Sequence, residues 1–234
     1  MSDLDLTRMM IAISFLIGGF GVVLYTGFKG KNPFTTKFIA RTGLFAAMSI
    51  ILYIVPFLQI QLPFFPEFLK LHFDEIPALI AAFAYGPLSG VIIILIKTLV
   101  KLPLSHTMCV GELADLIYSI AFILPAALIY KRHRSIKGAL VALLVGTVIQ
   151  ILVSSFVTSF LIIDFYIFMM GWPKAAIVAA CTKANPNVKS LGWTFFFLVG
   201  IPFNAFKDAI VVIVTFILYK RLHKVIDKIG QEKN

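Results

Sequence analysis

Apolar residues run through this chain in long blocks, separated by short basic or proline-containing connectors. The blocks cover residues 9–28, 37–58, 73–86, 87–104, 112–131, 137–165 and 194–219. A membrane-crossing helix needs roughly 20 apolar residues. The blocks at 9–28, 37–58, 112–131, 137–165 and 194–219 each predict such a helix. Those at 73–86 and 87–104 are short and meet at Gly86-Pro87, a turn signal. They predict a tilted or broken pair packed inside a bundle. The first block is long for the apolar core of a signal peptide and ends in Tyr25, Thr26 and Gly27 before basic residues. It is read as a retained anchor helix.

Composition supports the bilayer reading. Hydrophobic residues make up 60% of the chain and charged residues 14%, against about 25% charged in an ordinary soluble domain. One soluble core cannot bury that much apolar surface in 234 residues. The net charge of +10 does not point to nucleic acid, because the lysines and arginines cluster between apolar blocks. Lys29, Lys31, Lys37 and Arg41 form one cluster; Lys131, Arg132, His133, Arg134 and Lys137 a second; Lys220, Arg221, Lys224 and Lys228 a third. All three fall on one side if every block spans, and the positive-inside rule makes that side the cytoplasm. The expected location is therefore the cell membrane, multi-pass, with a cytoplasmic C-terminus. Loops near 59–72, 103–111 and 166–193 then face outside. Cys109 and Cys181 have no metal-ligand spacing and make no disulfide framework. No metal site is expected. Without a Walker A pattern, uphill transport would draw on an ion gradient or a partner ATPase.

Ionisable residues inside apolar blocks are costly and mark candidate sites. Asp74 and Glu75 open the third block, where capping and the helix dipole already favour acids. Lys97 and Lys101 are four apart and share a helical face. Lys101 is near the end and free to snorkel, whereas Lys97 is deeper. Glu112 and Asp115 open the fifth block and are either capping residues or partners for Lys97. Asn204 and Lys207 lie three apart on the last block, so they project together. A lysine beside an amide suits a polar organic ligand with carbonyls. The competing reading is an ion pair of Lys207 with Asp208 or Glu112. Gly43 and Ala47, and Gly86 and Gly90, have the small-xxx-small spacing that lets helices approach.

Three stretches then stand out together: Phe68-Leu69-Lys70-Leu71-His72-Phe73-Asp74-Glu75-Ile76-Pro77-Ala78, Tyr85-Gly86-Pro87-Leu88-Ser89-Gly90 and Gly111-Glu112-Leu113-Ala114-Asp115. With Pro202-Phe203-Asn204-Ala205-Phe206-Lys207, they resemble the substrate-binding S components of energy-coupling factor (ECF) vitamin transporters, in particular the riboflavin-specific branch. The resemblance covers roughly residues 36–220. It implies an all-α integral membrane fold, a six-helix bundle over 36–220, here preceded by an extra transmembrane helix and basic linker over 1–35 and followed by a basic tail over 221–234. It implies a transporter subunit, not an enzyme, with riboflavin or a related flavin as transported ligand. The partners it implies are a transmembrane coupling protein and two ATPase subunits. Gly43 and Ala47 stand where the family contacts its coupling protein, though the usual alanine pair is not intact. Asn204 and Lys207 match the pocket side of the last helix, and Leu71 the loop-to-helix edge of the pocket. Phe65, Asp74, Lys97, Glu112 and Asp115 complete the expected substrate-binding set. The riboflavin branch usually carries aspartate at the position of His72, Ser-Asp at Asp74-Glu75, and asparagine at Thr98 and Asp115. The alternatives left open are another vitamin, a proton-coupled carrier built on Glu112 and Lys97, and a membrane enzyme using Glu112, His106 or Lys207.

Overall fold

A computed structural model describes residues 34–231. The anchor helix expected over 9–28 lies outside the described residues. Five helical rods are long and apolar enough to cross a membrane: Thr36–Ile54, Pro87–Leu104, Val110–Arg132, Ile136–Phe168 and Trp193–Lys224. The elements are α1 (Thr36–Ile54), α2 (Glu75–Tyr85), α3 (Pro87–Lys101), α4 (Val110–Arg132), α5 (Ile136–Val157), α6 (Ile163–Met169), α7 (Lys174–Ala184), α8 (Trp193–Phe195) and α9 (Ile201–Gln231). A π-helical stretch, Thr158–Ile162, joins α5 to α6, and another, Phe196–Gly200, joins α8 to α9. A two-residue hairpin, β1 (Ile60–Gln61) and β2 (Lys70–Leu71), pairs antiparallel between α1 and α2.

The short helix α2 is the centre of the bundle. Its 11 residues rise only about 16 Å, too little to cross a bilayer. Ten of them are buried, Glu75 through Ala84. In one core cluster with its alanines lie Ala46 of α1, Ile93 and Ile94 of α3, Phe122 and Ala126 of α4, Leu143 of α5 and Val211 of α9. Small side chains let α1, α3, α4 and α9 converge on α2. Gly86 turns the chain with φ of +96°, which favours glycine, and Pro87 starts α3 where a missing N–H costs nothing. A Cβ on Gly90 would stand 2.8 Å from Ala82 Cβ and from Ile123 Cγ2, so α3 meets α2 and α4 there only because the side chain is absent.

Around this core, large apolar side chains point outward: Leu44, Ile51, Leu99, Leu113, Leu144, Val148, Leu152, Phe197, Ile213 and Ile217 are all exposed. Only a lipid environment accepts so many. The helix directions bring the ends of α1 and α5–α6, and the loops that follow them, to the same end of the bundle as the starts of α2, α4 and α8. The basic clusters at 131–137 and 220–224 lie at the other end.

Two expectations are corrected. The segment 166–193, read as an outer loop, contains α7. Its sequence, KAAIVAACTKA, is alanine-rich and sits between Pro173 and Asn185-Pro186, so propensity and stop signals set it where periodicity is weak. Asp74 stands at the N-cap of α2, but its side chain makes no capping bond. A buried lysine takes it instead.

Candidate functional site

A cavity of about 380 Å³ lies where the segments 59–72, 105–111 and 166–172 meet the starts of α4 and α9. Its walls combine aromatic rings, Tyr53, Phe68, Tyr166, Trp172, Phe195 and Phe203, with polar groups that include His72, Glu112, Asp115, Asn204 and Lys207. Small-molecule sites have this make-up, mostly apolar with a few placed polar groups, and volumes of about 300–1,000 Å³.

An ionic chain lies behind one wall. Lys97 is wholly buried and donates to the Asp74 carboxylate, to Asp115 Oδ2 at 2.8 Å and to Ser119 Oγ at 3.1 Å. All three ammonium hydrogens are thereby used. Its charge also lies 4.8 Å from the centre of the Tyr53 ring. Ser119 Oγ donates in turn to Glu75 Oε1 at 3.2 Å. Lys207 reaches the same Glu75, hydrogen-bonded to Oε1 at 3.4 Å and at ion-pair distance, 3.2 Å, from Oε2. The chain Asp115–Lys97–Asp74 and Ser119–Glu75–Lys207 thus braces α2, α3, α4 and α9. Three buried carboxylates face two buried ammonium groups. Ser49 Oγ donates to the Asp74 carbonyl at 2.8 Å and ties α1 to the same point.

The other walls are set by loops and π-helical stretches. Met108 and Cys109 have positive φ, of 50° and 67°, and turn the chain into α4. The turn is held by Ser105 Oγ, which accepts from the Cys109 and Thr107 amides, and by Thr107 Oγ1, which accepts from the Gly111 amide. Both hydroxyls donate to Glu112 Oε2, at 2.6 and 3.0 Å. Glu112 is therefore a loop clamp, and Lys97 takes Asp115 alone of the two α4 acids. Both π-helical stretches border the cavity, through Thr158, Ile162 and Gly200. Such insertions re-aim side chains and recur at functional sites. Thr158 pairs with the Tyr118 hydroxyl at 2.7 Å. Asn204 Nδ2 donates to Ser155 Oγ at 3.3 Å and to the Gly200 carbonyl at 2.9 Å.

Of the expected site residues, Asn204, Lys207, Glu112 and Asp115 line the cavity together. Asp74 and Lys97 lie behind it in the ionic chain. Leu71 is buried, 1% exposed, and is not among the residues that line the cavity. Phe65 packs edge-on against Phe203 at 5.2 Å, supporting the wall from outside. Lys207 has Glu75 as its partner, not Asp208 or Glu112. The expected site set left out Tyr53, His72, Tyr118 and Trp172, which line the cavity. Period-2 alternation in the hairpin was the available signal for His72: with Leu71 turned inward, Lys70 and His72 face the cavity. On α1, Gly43 and Ala47 are exposed, and nothing lies within 4 Å of a Cβ placed on Gly43. Among the described residues no cluster of His, Cys, Asp and Glu suits a metal ion.

The model of the family "ECF transporter, substrate-specific component" matches residues 37–219. The chain belongs to this family. It is therefore the substrate-binding S component of a transporter, a multi-pass membrane protein and not an enzyme. The S component is 31% identical over 202 residues to the riboflavin transporter RibU of Staphylococcus aureus (strain TCH60), covering 86% of this chain and all of that one. It is 29% identical over 178 residues to the riboflavin transporter FmnP of Bacillus subtilis (strain 168), covering 75% and 87%. A solved S component of a bacterial ECF transporter superposes with a TM-score of 0.62 at 27% identity, over 81% of this chain and 96% of that one.

Proposed function

We propose that this S component captures riboflavin, or a close flavin relative, from outside the cell and delivers it inward with an ECF module. That module is taken to be a transmembrane coupling protein and two ATPase subunits. The observation that carries the reading is the aromatic-walled cavity with Asn204 and Lys207 side by side on its wall. Two relatives described as riboflavin transporters support the choice of ligand.

The chemistry follows from what each group has left to give. Both amide hydrogens of Asn204 are engaged by Ser155 and Gly200, so the group it offers a ligand is the acceptor Oδ1. That suits the imide N–H of an isoalloxazine ring. Lys207 spends part of its donor capacity on Glu75 and keeps the rest for a ring carbonyl or a ribityl hydroxyl. The flat ring gains its binding energy by leaving water among the aromatic side chains, and the polar contacts fix its orientation. In this reading Asp74, Lys97, Leu71 and Phe65 hold the wall rather than touch the ligand.

The architecture we assign is a six-helix bundle, α2 included, preceded by one further transmembrane helix. The basic end faces the cytoplasm and the cavity faces outside. The exposed strip at Gly43 and Ala47 is the face offered to the coupling protein, since small residues there leave room for a partner helix.

The test is direct. Protein purified in detergent from cells grown with riboflavin should be yellow, with flavin absorbance in the near-UV and blue. Colourless protein that also fails to quench the fluorescence of added riboflavin would sink the flavin assignment.

A further inference from the structure

His72 has no place in the ionic chain, yet it sits at the cavity. It follows β2, where alternation turns Leu71 into the core and His72 toward the cavity, which it lines. Its ring stands edge-on to Tyr53 of α1, with centroids 5.4 Å apart. Nδ1 is buried with no hydrogen-bond partner among the described residues and lies 4.0 Å from Asp74 Oδ1. Nε2, across the ring, is the nitrogen left facing the cavity.

The surroundings fix what that nitrogen offers. A neutral imidazole carries one proton, and the neighbouring carboxylate favours it on Nδ1. Asp74 stays with Lys97, so it does not reach Nδ1 to complete a hydrogen bond. Nε2 then presents a lone pair. We propose that His72 reads the bound molecule directly: the neutral ring accepts, through Nε2, a hydrogen bond from an N–H or O–H of the ligand, and protonating the ring abolishes that contact. His72 Nε2 then joins Asn204 Oδ1 as an acceptor on the cavity wall. This selects a ligand rich in donors, such as a polyol chain or an imide. The inference rests on the flavin reading and assigns His72 within the same cavity.

The charge environment agrees. Burial holds the His72 imidazole below its ordinary value, opposed by Asp74 and Asp115 and assisted by Lys207 and Lys97. The ring is therefore neutral near pH 7, and acid protonates it. The sign follows: the neutral form binds, so affinity is full at neutral pH and falls as pH drops through the folded-state value. Glu112, Asp115 and His106 also line the cavity. The test must isolate His72 from them.

Riboflavin affinity is measured by fluorescence quenching on detergent-purified protein, from about pH 7.5 to about pH 4.5. We expect the wild-type Kd to rise as pH falls across that range, the direction that protonating the ring dictates. His72→Phe, which keeps a ring but no acceptor, should bind about tenfold more weakly at neutral pH, and its profile should lose this rise. His72→Gln, whose amide oxygen accepts, should recover most of the affinity without the rise. His106→Gln should leave the wild-type profile intact. Equal Kd values and equal profiles for wild type and both His72 variants overturn the inference and leave the flavin reading standing. So does loss of the rise in His106→Gln. A wild-type protein that binds no riboflavin at any pH overturns both.

Discussion

Lys97 is the residue whose loss should cost the fold most. It is wholly buried and donates to Asp74, Asp115 and Ser119. Lys97→Met keeps most of the side-chain volume and removes the charge. Asp74 and Asp115 would then be two carboxylates with no counter-ion at the junction of α2, α3 and α4. Breaking a buried ion pair by removing one partner costs about 3–5 kcal/mol. For a domain of this size each kcal/mol lowers the melting temperature by about 2–4 °C, so a fall of about 10 °C is expected. The assay is thermal unfolding in detergent, followed through intrinsic fluorescence. The companion is Lys97→Met with Asp74→Asn and Asp115→Asn, which removes the stranded charges and should recover at least half of the fall. A single Lys97→Met variant that melts within about 2 °C of wild type would refute the reasoning, since that is under about 1 kcal/mol. So would a triple variant less stable than the single one, because the damage would then not come from unpaired carboxylates.

Further outcomes follow from other contacts. Lys207→Met should weaken riboflavin binding by about ten- to a hundredfold in the quenching assay, the loss of one charge-assisted hydrogen bond, while the cavity keeps its aromatic walls. Gly90→Val should lower stability by about 1–3 kcal/mol or more in the same melting assay, because its side chain would overlap Ala82 and Ile123. The thiol of Cys181 has no solvent exposure, and burial pushes it up to about 11. Thiolate forms only as pH approaches that value, so near pH 7.5 maleimide should label the half-buried Cys109 and spare Cys181 until the protein is unfolded.

Long apolar blocks made the crossing helices plain in the sequence, and Gly86-Pro87 marked the α2–α3 turn because its chemistry is local. Lys97 stood out because charge in an apolar run is rare. Its partners were less accessible. Asp115 was visible as one of two acids on α4, but Glu112 went to Ser105 and Thr107 through a loop whose positive φ at Met108 and Cys109 no glycine announced. The bond between Lys207 and Glu75 joins residues 132 positions apart, a distance over which pattern carries no information. The expected hairpin contact, Leu71, was one residue from a side chain that lines the cavity, because in an extended segment a single step reverses the face. The two π-helical stretches left no sign in the apolar pattern, yet they help shape the site.

The hairpin over the cavity is held unevenly. Its ladder is only two pairs, Ile60 with Leu71 and Gln61 with Lys70, and a ladder this short has little stability of its own. Leu71 is buried, whereas Ile60 and Gln61 are exposed. The strand next to α2 is the fixed jamb and the strand after α1 is the leaf, latched by the bond from Gln59 Nε2 to the Tyr53 carbonyl at 2.8 Å. Were that leaf the way in, arrival and departure of a guest would be timed by how often it swings, not by how tightly the cavity grips. Stiffening residues 59–61 would lengthen both waits together and leave their ratio, the affinity, nearly unchanged.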